Sequence, residues 1–298
     1  MKFKFIADRR VKVKTFLKGH DISKALLAKI KFKGGQILVN GKEENAVYLL
    51  TAGDQVTITI PNEESHNSLQ PVEYPLDICF ENEHYLIVNK PAGVASIPSI
   101  LHTNTMANFV KNYYLENHYP NKQIHIVTRL DKDTSGLMLF AKHGYAHARL
   151  DKQLQSKTID KRYYALVSGK GKLAAQGDII APIARDKNSI ITRCVDRLGK
   201  YAHTSYEVIA QYGEVRLVDI RLHTGRTHQI RVHFSHIGFP LLGDELYGGD
   251  MNHGLKRQAL HCHYLSFTDP YTGGLNTYSS SLTDDIESVI MKLKKISH

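Results

Sequence analysis

Tryptophan is absent from the 298 residues, and cysteine occurs only three times, at Cys79, Cys194 and Cys262. An odd set of thiols without paired spacing gives no disulfide framework, which predicts a reducing compartment and a cytoplasmic protein. No run of about 18 apolar residues is found, so no membrane-spanning helix is expected. The opening Met1-Lys2-Phe3-Lys4-Phe5-Ile6 lacks the continuous apolar core of a secretory signal. No fixed-period repeat and no low-complexity tract interrupts the chain. Acid is in deficit: 39 Lys and Arg against 29 Asp and Glu leave a net charge of +10 and a pI near 9.3. That balance favours a polyanionic partner, nucleic acid before membrane.

What is present is ordinary globular composition, 42% hydrophobic with 16 Tyr and 10 Phe, enough to bury a sizeable core. Residues 1–60 read as a small basic αβ unit. A helix begins near Ser23 and stops at Gly34-Gly35, and strands follow at 36–39, 46–50 and 55–60, with Asn40-Gly41 as a hairpin turn. Residues 61–71, with the polar stretch Asn62 to Ser68 at their centre, read as a linker. From residue 72 to 298 strands dominate, at 78–81, 85–89, 137–141, 162–167, 204–209 and 215–222. Helices are expected at 105–114, 145–155, 227–237 and 284–294. The pattern is mixed α+β and not a βαβ repeat.

The most informative segment is Val127-Thr128-Arg129-Leu130-Asp131-Lys132-Asp133-Thr134-Ser135-Gly136-Leu137-Met138-Leu139-Phe140, a polar loop running into an apolar strand. Its alternate oxygen-bearing residues and Gly136 match the opening of a calcium loop. The twelfth position, which needs a bidentate Glu, is Lys142, and the exit reads as a strand, so that reading fails. A structural turn whose carboxylates cap backbone donors and a catalytic loop both remain.

Arg129-Leu130-Asp131-x-x-Thr134-Ser135-Gly136 resembles the catalytic signature of the RluA-type pseudouridine synthases. Other stretches resemble that family in the same order: Val88-Asn89-Lys90-Pro91-Ala92-Gly93, Lys161 to Gly169, Leu222 to His233, Gly243-Asp244-x-x-Tyr247-Gly248 and Ala259-Leu260-His261. The likeness spans roughly residues 76–270. One position departs, because Thr128 stands where the family usually has His. Residues Phe16 to Ile58 resemble an S-four-like RNA-binding domain, with Lys14, Lys18, Lys24, Lys29, Lys31 and Lys33 suited to phosphate contact.

The resemblance implies a mixed, mainly antiparallel β-sheet catalytic domain with peripheral helices. The implied reaction is isomerisation of uridine to pseudouridine in structured RNA, ribosomal RNA before transfer RNA, by a monomer. Asp131 would be the catalytic carboxylate, Tyr163 the active-site tyrosine and Arg226 the arginine paired with Asp131. Thr128, Arg129, Lys90 and Leu260 would meet the substrate, Leu260 beneath the target base. No cofactor is implied, since the reaction gains and loses no atoms. No metal is expected either: His228 and His233 lie off one helical face, and His261-Cys262-His263 alternates across a strand. An RNA base deaminase would need a Cys-x-x-Cys zinc set that the chain lacks. A catalytically silent RNA-binding or ribosome-assembly factor is the competing class.

Overall fold

The computed structural model describes residues 1–63, 69–100 and 102–296. Its main feature is a ten-stranded sheet. From one edge the strands run Gln176–Ile180, His203–Tyr212, Val215–Leu222, Asp160–Ser168, Leu260–Thr268, Ser135–Ala141, Tyr85–Lys90 and Ile78–Glu81. Leu275–Ser279 pairs with Leu260–Thr268, and His125–Ile126 with Ser135–Ala141. Among the described residues, every strand pairing in this sheet is antiparallel except one, where Ser135 and Gly136 run parallel to His261 and Cys262. The expected mixed, mainly antiparallel α+β architecture is the one observed.

All seven residues of Ser135–Ala141 are buried, as a strand covered on both faces requires. Met138 and Phe140 face one way, into a cluster with Leu86, Val88 and the helix Met106–Glu116. Leu137 and Leu139 face the other way, into the larger core with Tyr163, Ile220 and Phe234. The parallel junction admits no side chain at its crossing point. Gly136 has φ +111°, and a Cβ there would lie 2.3 Å from the carbonyl oxygen of Cys262.

Residues 1–60 carry their own four-stranded sheet, ordered Lys2–Ile6, Gln55–Thr59, Gln36–Val39, Lys42–Glu43. Asn40 and Gly41 both take positive φ in the hairpin, and Ser23 caps the helix Lys24–Phe32 by accepting from Leu26 N–H. The strand Lys2–Ile6 and the helix Val13–Gly19 were not expected from the sequence, and the strand expected at 46–50 is confined to Leu49–Leu50. The core of this unit continues into Tyr145 and Tyr271 of the larger body. Phe3 stacks on Tyr271 and meets Tyr145 edge-on, Tyr145 Oη donates to the His20 carbonyl at 2.7 Å, and Asp21 pairs with Arg149 and Lys152. The linker expected at 61–71 is pinned where it is described. Glu63 accepts from Lys29, His125 and Gly144 N–H, which against the cost of burial bring its carboxyl down to about 2. Residues 64–68 of that linker lie outside the described residues.

Two buried histidines complete this seam. His143 Nδ1 accepts from Ala146 N–H at the start of the helix Gly144–Gln155, so its Nε2 carries the proton and donates to His84 Nδ1 at 3.1 Å. His84 in turn stacks on Tyr271 at 3.6 Å. Burial, then the neighbouring His84, depresses the pKa of His143 to about 3, and burial lowers that of His84. Between about pH 6.5, the ordinary histidine value, and about 3 the unfolded chain therefore binds protons that the folded chain refuses. Stability is present in full above that window and is lost as the pH falls through it. The melting temperature of the wild type should drop more steeply between pH 7 and 4 than that of His143→Asn, which keeps a capping side chain without a titrating ring. Parallel curves would show that other groups govern the acid limb.

Candidate active site

The loop preceding Ser135 is held from several sides. Lys90, 1% exposed, directs its ammonium at three carbonyls, those of Pro91, Val94 and Lys132, at 2.7–2.8 Å. Burial pulls its pKa down to about 7, while Asp133, Asp131 and the use of all three N–H donors favour the charged form. Ser96 Oγ donates to the Leu130 carbonyl and accepts from Leu130 N–H. Arg257 donates to the Asp133 carbonyl, and Gln258 to Thr134 Oγ1. Thr134 N–H closes the turn on the Asp131 carbonyl at 3.2 Å. With its neighbours fixed, Asp131 projects its carboxylate into a cavity of ≈ 700 Å³ while its side chain stays 30% exposed.

Facing Asp131 is Arg231, from the helix Gln229–His236. Its Nη1 lies 3.7 Å from Asp131 Oδ2, an ion pair without a hydrogen bond. Its Nε and Nη2 make two 2.7 Å bonds to the buried carboxylate of Asp244, and its guanidinium lies over the Tyr247 ring. Those bonds to Asp244 raise the arginine's pKa against the opposing effect of burial. His228, in a left-handed conformation at the helix N-cap, brings Nε2 within 4.0 Å of Asp131 while Nδ1 meets Tyr247 Oη at 2.8 Å. Burial lowers the pKa of His228, and Asp131 opposes that shift.

The structure therefore corrects the arginine. Arg226 lines the same cavity, but it is exposed and turns its Nε to the Tyr201 carbonyl at 3.0 Å. The two arginines stand five residues apart in one motif, and only Arg231 enters the helix that faces Asp131. His228, considered from sequence only as a metal ligand and set aside, lines the cavity beside Asp131 as well. No spacing signal marked it, because the helix starts later than the expected residue 227.

The remaining expected residues divide. Tyr163, 3% exposed, and Leu260, 4% exposed, line the same cavity as Asp131. Burial raises the pKa of the Tyr163 hydroxyl far above its ordinary value. Arg129 is exposed at the mouth and has no hydrogen-bonded partner among the described residues. Thr128 touches the cavity, but its Oγ1 accepts from Leu139 N–H at 2.9 Å, so the hydroxyl first serves the strand edge. Lys90 supports the loop through the Lys132 carbonyl and does not line the cavity that holds Asp131. Lys161, which the sequence did not single out as a site residue, lines the wall beside Tyr163, and burial lowers its pKa.

Comparison with known proteins bears on the family and the fold. The pattern describing RNA pseudouridylate synthases matches residues 84–236. A Bacillus subtilis protein named as the uncharacterized RNA pseudouridine synthase YjbO is 40% identical over 270 residues, covering 90% of this chain and 94% of its own length. Ribosomal large subunit pseudouridine synthase D of Nitrosomonas europaea is 37% identical over 264 residues, 83% of this chain and 73% of the other. Among solved structures, human RNA pseudouridylate synthase domain containing 4 shares the fold with a TM-score of 0.60 at 19% identity. It covers 73% of this chain and 92% of its own.

Replacing Lys90 by Met leaves three partly buried carbonyls without this donor. An orphaned buried acceptor costs about 1–3 kcal/mol, partly offset here by removal of a buried charge, so a net loss of about 2 kcal/mol or more is expected. Thermal unfolding should move down and exchange of the Thr134 amide should accelerate. Unchanged values for both would assign the loop's rigidity to Ser96 and Arg257 alone.

Proposed function

Because the chain belongs to the RNA pseudouridylate synthase family, we propose that it isomerises uridines of large-subunit ribosomal RNA with Asp131 as the catalytic carboxylate. The observation that carries this reading is a fixed aspartate at a cavity wall, facing an arginine that a second carboxylate orients. The reaction breaks the bond between uracil N1 and the sugar C1′, turns the ring and joins C5 to C1′. The hydrogen of C5 leaves and N1 gains one, so no redox partner or energy source is needed. It does require a retained ring, a placed carboxylate and excluded water.

Extruding the uridine from its stack costs a few kcal/mol, which the pocket must offset. Tyr163 and Leu260 provide the apolar and aromatic faces on which the base would lie. Arg129 and Arg226, exposed at the mouth, are placed for phosphates, which set register without reading sequence. Lys14, Lys18, Lys24, Lys31 and Lys33 lie exposed on the N-terminal unit and support the reading of that unit as an S-four-like RNA clamp. The ribosomal name of the Nitrosomonas relative favours ribosomal over transfer RNA. Three free thiols fit a cytoplasmic setting.

In a tritium-release assay on RNA labelled at uracil C5, Asp131→Asn should lose about 10³-fold or more in rate while RNA affinity stays within about threefold. Arg231→Lys should lose about 10²-fold, since lysine cannot hold Asp244 bidentately and present a further N–H to Asp131, whereas Arg226→Lys should lose less than about tenfold. Near-wild-type turnover of Asp131→Asn would end the assignment, and a reversed order of the two arginines would restore Arg226 as the partner.

Charge removal tests the clamp better than truncation, which would uncover Tyr145 and Tyr271. Changing Lys18, Lys24, Lys31 and Lys33 to Gln should leave turnover at saturating RNA in place. The slope of log affinity on log salt should become shallower by about 0.7–0.9 for each phosphate that the lysines no longer neutralise. An unaltered slope would turn the unit from an RNA clamp into a protein-contact domain.

A further inference from the structure

On the solvent-facing side of the sheet, three adjacent antiparallel strands bring Asp178, His203 and His223 together. Asp178 stands opposite Ser205, two residues along from His203 on the same strand face, and Thr204 stands opposite Leu222. His223, just past the end of Val215–Leu222, donates its backbone N–H to the His203 carbonyl at 3.2 Å. Because alternate residues of a strand share a face, this register puts Asp178, His203, Ser205 and His223 on one surface patch. A ring nitrogen from each histidine and a carboxylate oxygen of Asp178 all lie within 4.8 Å of one another. His223 also lines the cavity, so the cluster sits on its rim.

We propose that Asp178, His203 and His223 bind a divalent transition-metal ion of the zinc type. Two imidazoles and one carboxylate are the donor set that zinc accepts and that calcium and magnesium, which prefer oxygen alone, do not. Three protein ligands leave a fourth position for water. The site is now closed by protons: His203 Nε2 is 2.7 Å from Asp178 Oδ1, and Ser205 Oγ bridges from that same oxygen, at 2.7 Å, to His223 Nε2, at 2.5 Å. On metal binding the Nε2 contacts of His203 and His223 would be exchanged for bonds to the ion, each ring keeping one proton on Nδ1 and so ligating as a neutral imidazole. The rings lie stacked at 4.0 Å and 17°, so one must turn about its Cβ–Cγ bond before both nitrogens converge. A bound ion would tie the edge strand Gln176–Ile180 to the cavity wall and add positive charge beside Arg226.

The full-length protein, stripped with a chelator, would be titrated with Co²⁺ while its ligand-field absorption is followed, and then with Zn²⁺ as competitor. About one Co²⁺ per chain, displaced by Zn²⁺, is expected. Affinity should fall at least about tenfold in His203→Ala, His223→Ala and Asp178→Asn, and stay unchanged in Cys194→Ser. Asp178 has 57% of its side chain exposed, so Asp178→Asn tests the site without threatening the fold. Absence of saturable uptake overturns the proposal. So does uptake that Asp178→Asn and the histidine variants leave unmoved, which would place the ion elsewhere.

Discussion

One guanidinium shared between two carboxylates organises the site. Asp244, 1% exposed, takes both forks of its hydrogen bonding with Arg231, which fixes the plane of the arginine. What remains for Asp131 is the outer Nη1 at 3.7 Å. That is close enough for charge and too long for a hydrogen bond, so the Asp131 oxygens stay uncommitted to the arginine. Had the bidentate bond gone to Asp131, the same residues would form a structural ion pair with little left for a substrate. The buried partner bears the cost of positioning, and the half-buried Asp131 remains available.

The same division of labour recurs beneath the loop. A loop that presents a carboxylate to a cavity cannot satisfy its own backbone, and the missing donors come from Lys90, Ser96 and Arg257, all outside the loop. These supports converge on the point where Ser135 and Gly136 run parallel to His261 and Cys262, in a sheet whose other described pairings are antiparallel. Gly136 is required there because the Cys262 backbone occupies the space of a Cβ. The carboxylate is thus anchored to the centre of the sheet, where local opening is most costly.

Much of this was legible in sequence where a local pattern sufficed. Strand Val215–Leu222 has the bounds its alternation predicts, and the Asn40-Gly41 turn takes the positive φ values that residue pair selects. Asp131, Tyr163 and Leu260 come from three separate motifs and line one cavity. What sequence could not resolve were choices that depend on direction. Arg226 and Arg231 share a motif, and the helix start at Gln229 decides which one faces the loop. Lys90 reads as a basic residue for substrate and is instead a buried donor, because the Pro91 to Val94 turn folds its own carbonyls over the ammonium. The cluster of Asp178, His203 and His223 has no sequence spacing at all, since strand register alone assembles it.

One helix connects the N-terminal unit to the cavity. The helix Gly144–Gln155 starts at the seam, where Glu63 accepts from Gly144 N–H and His143 caps Ala146. Midway it offers Arg149 and Lys152 to Asp21 of the N-terminal unit. It ends with Leu154 and Gln155 in the cavity wall. Twelve residues at about 1.5 Å each make a strut of about 18 Å between the two. A clamp on a free tether would raise the local concentration of RNA without fixing which nucleotide reaches Asp131. If the unit is the RNA clamp proposed above, docking through this helix would hold phosphates at a set distance and angle from the cavity, a geometry that would favour one uridine over its neighbours.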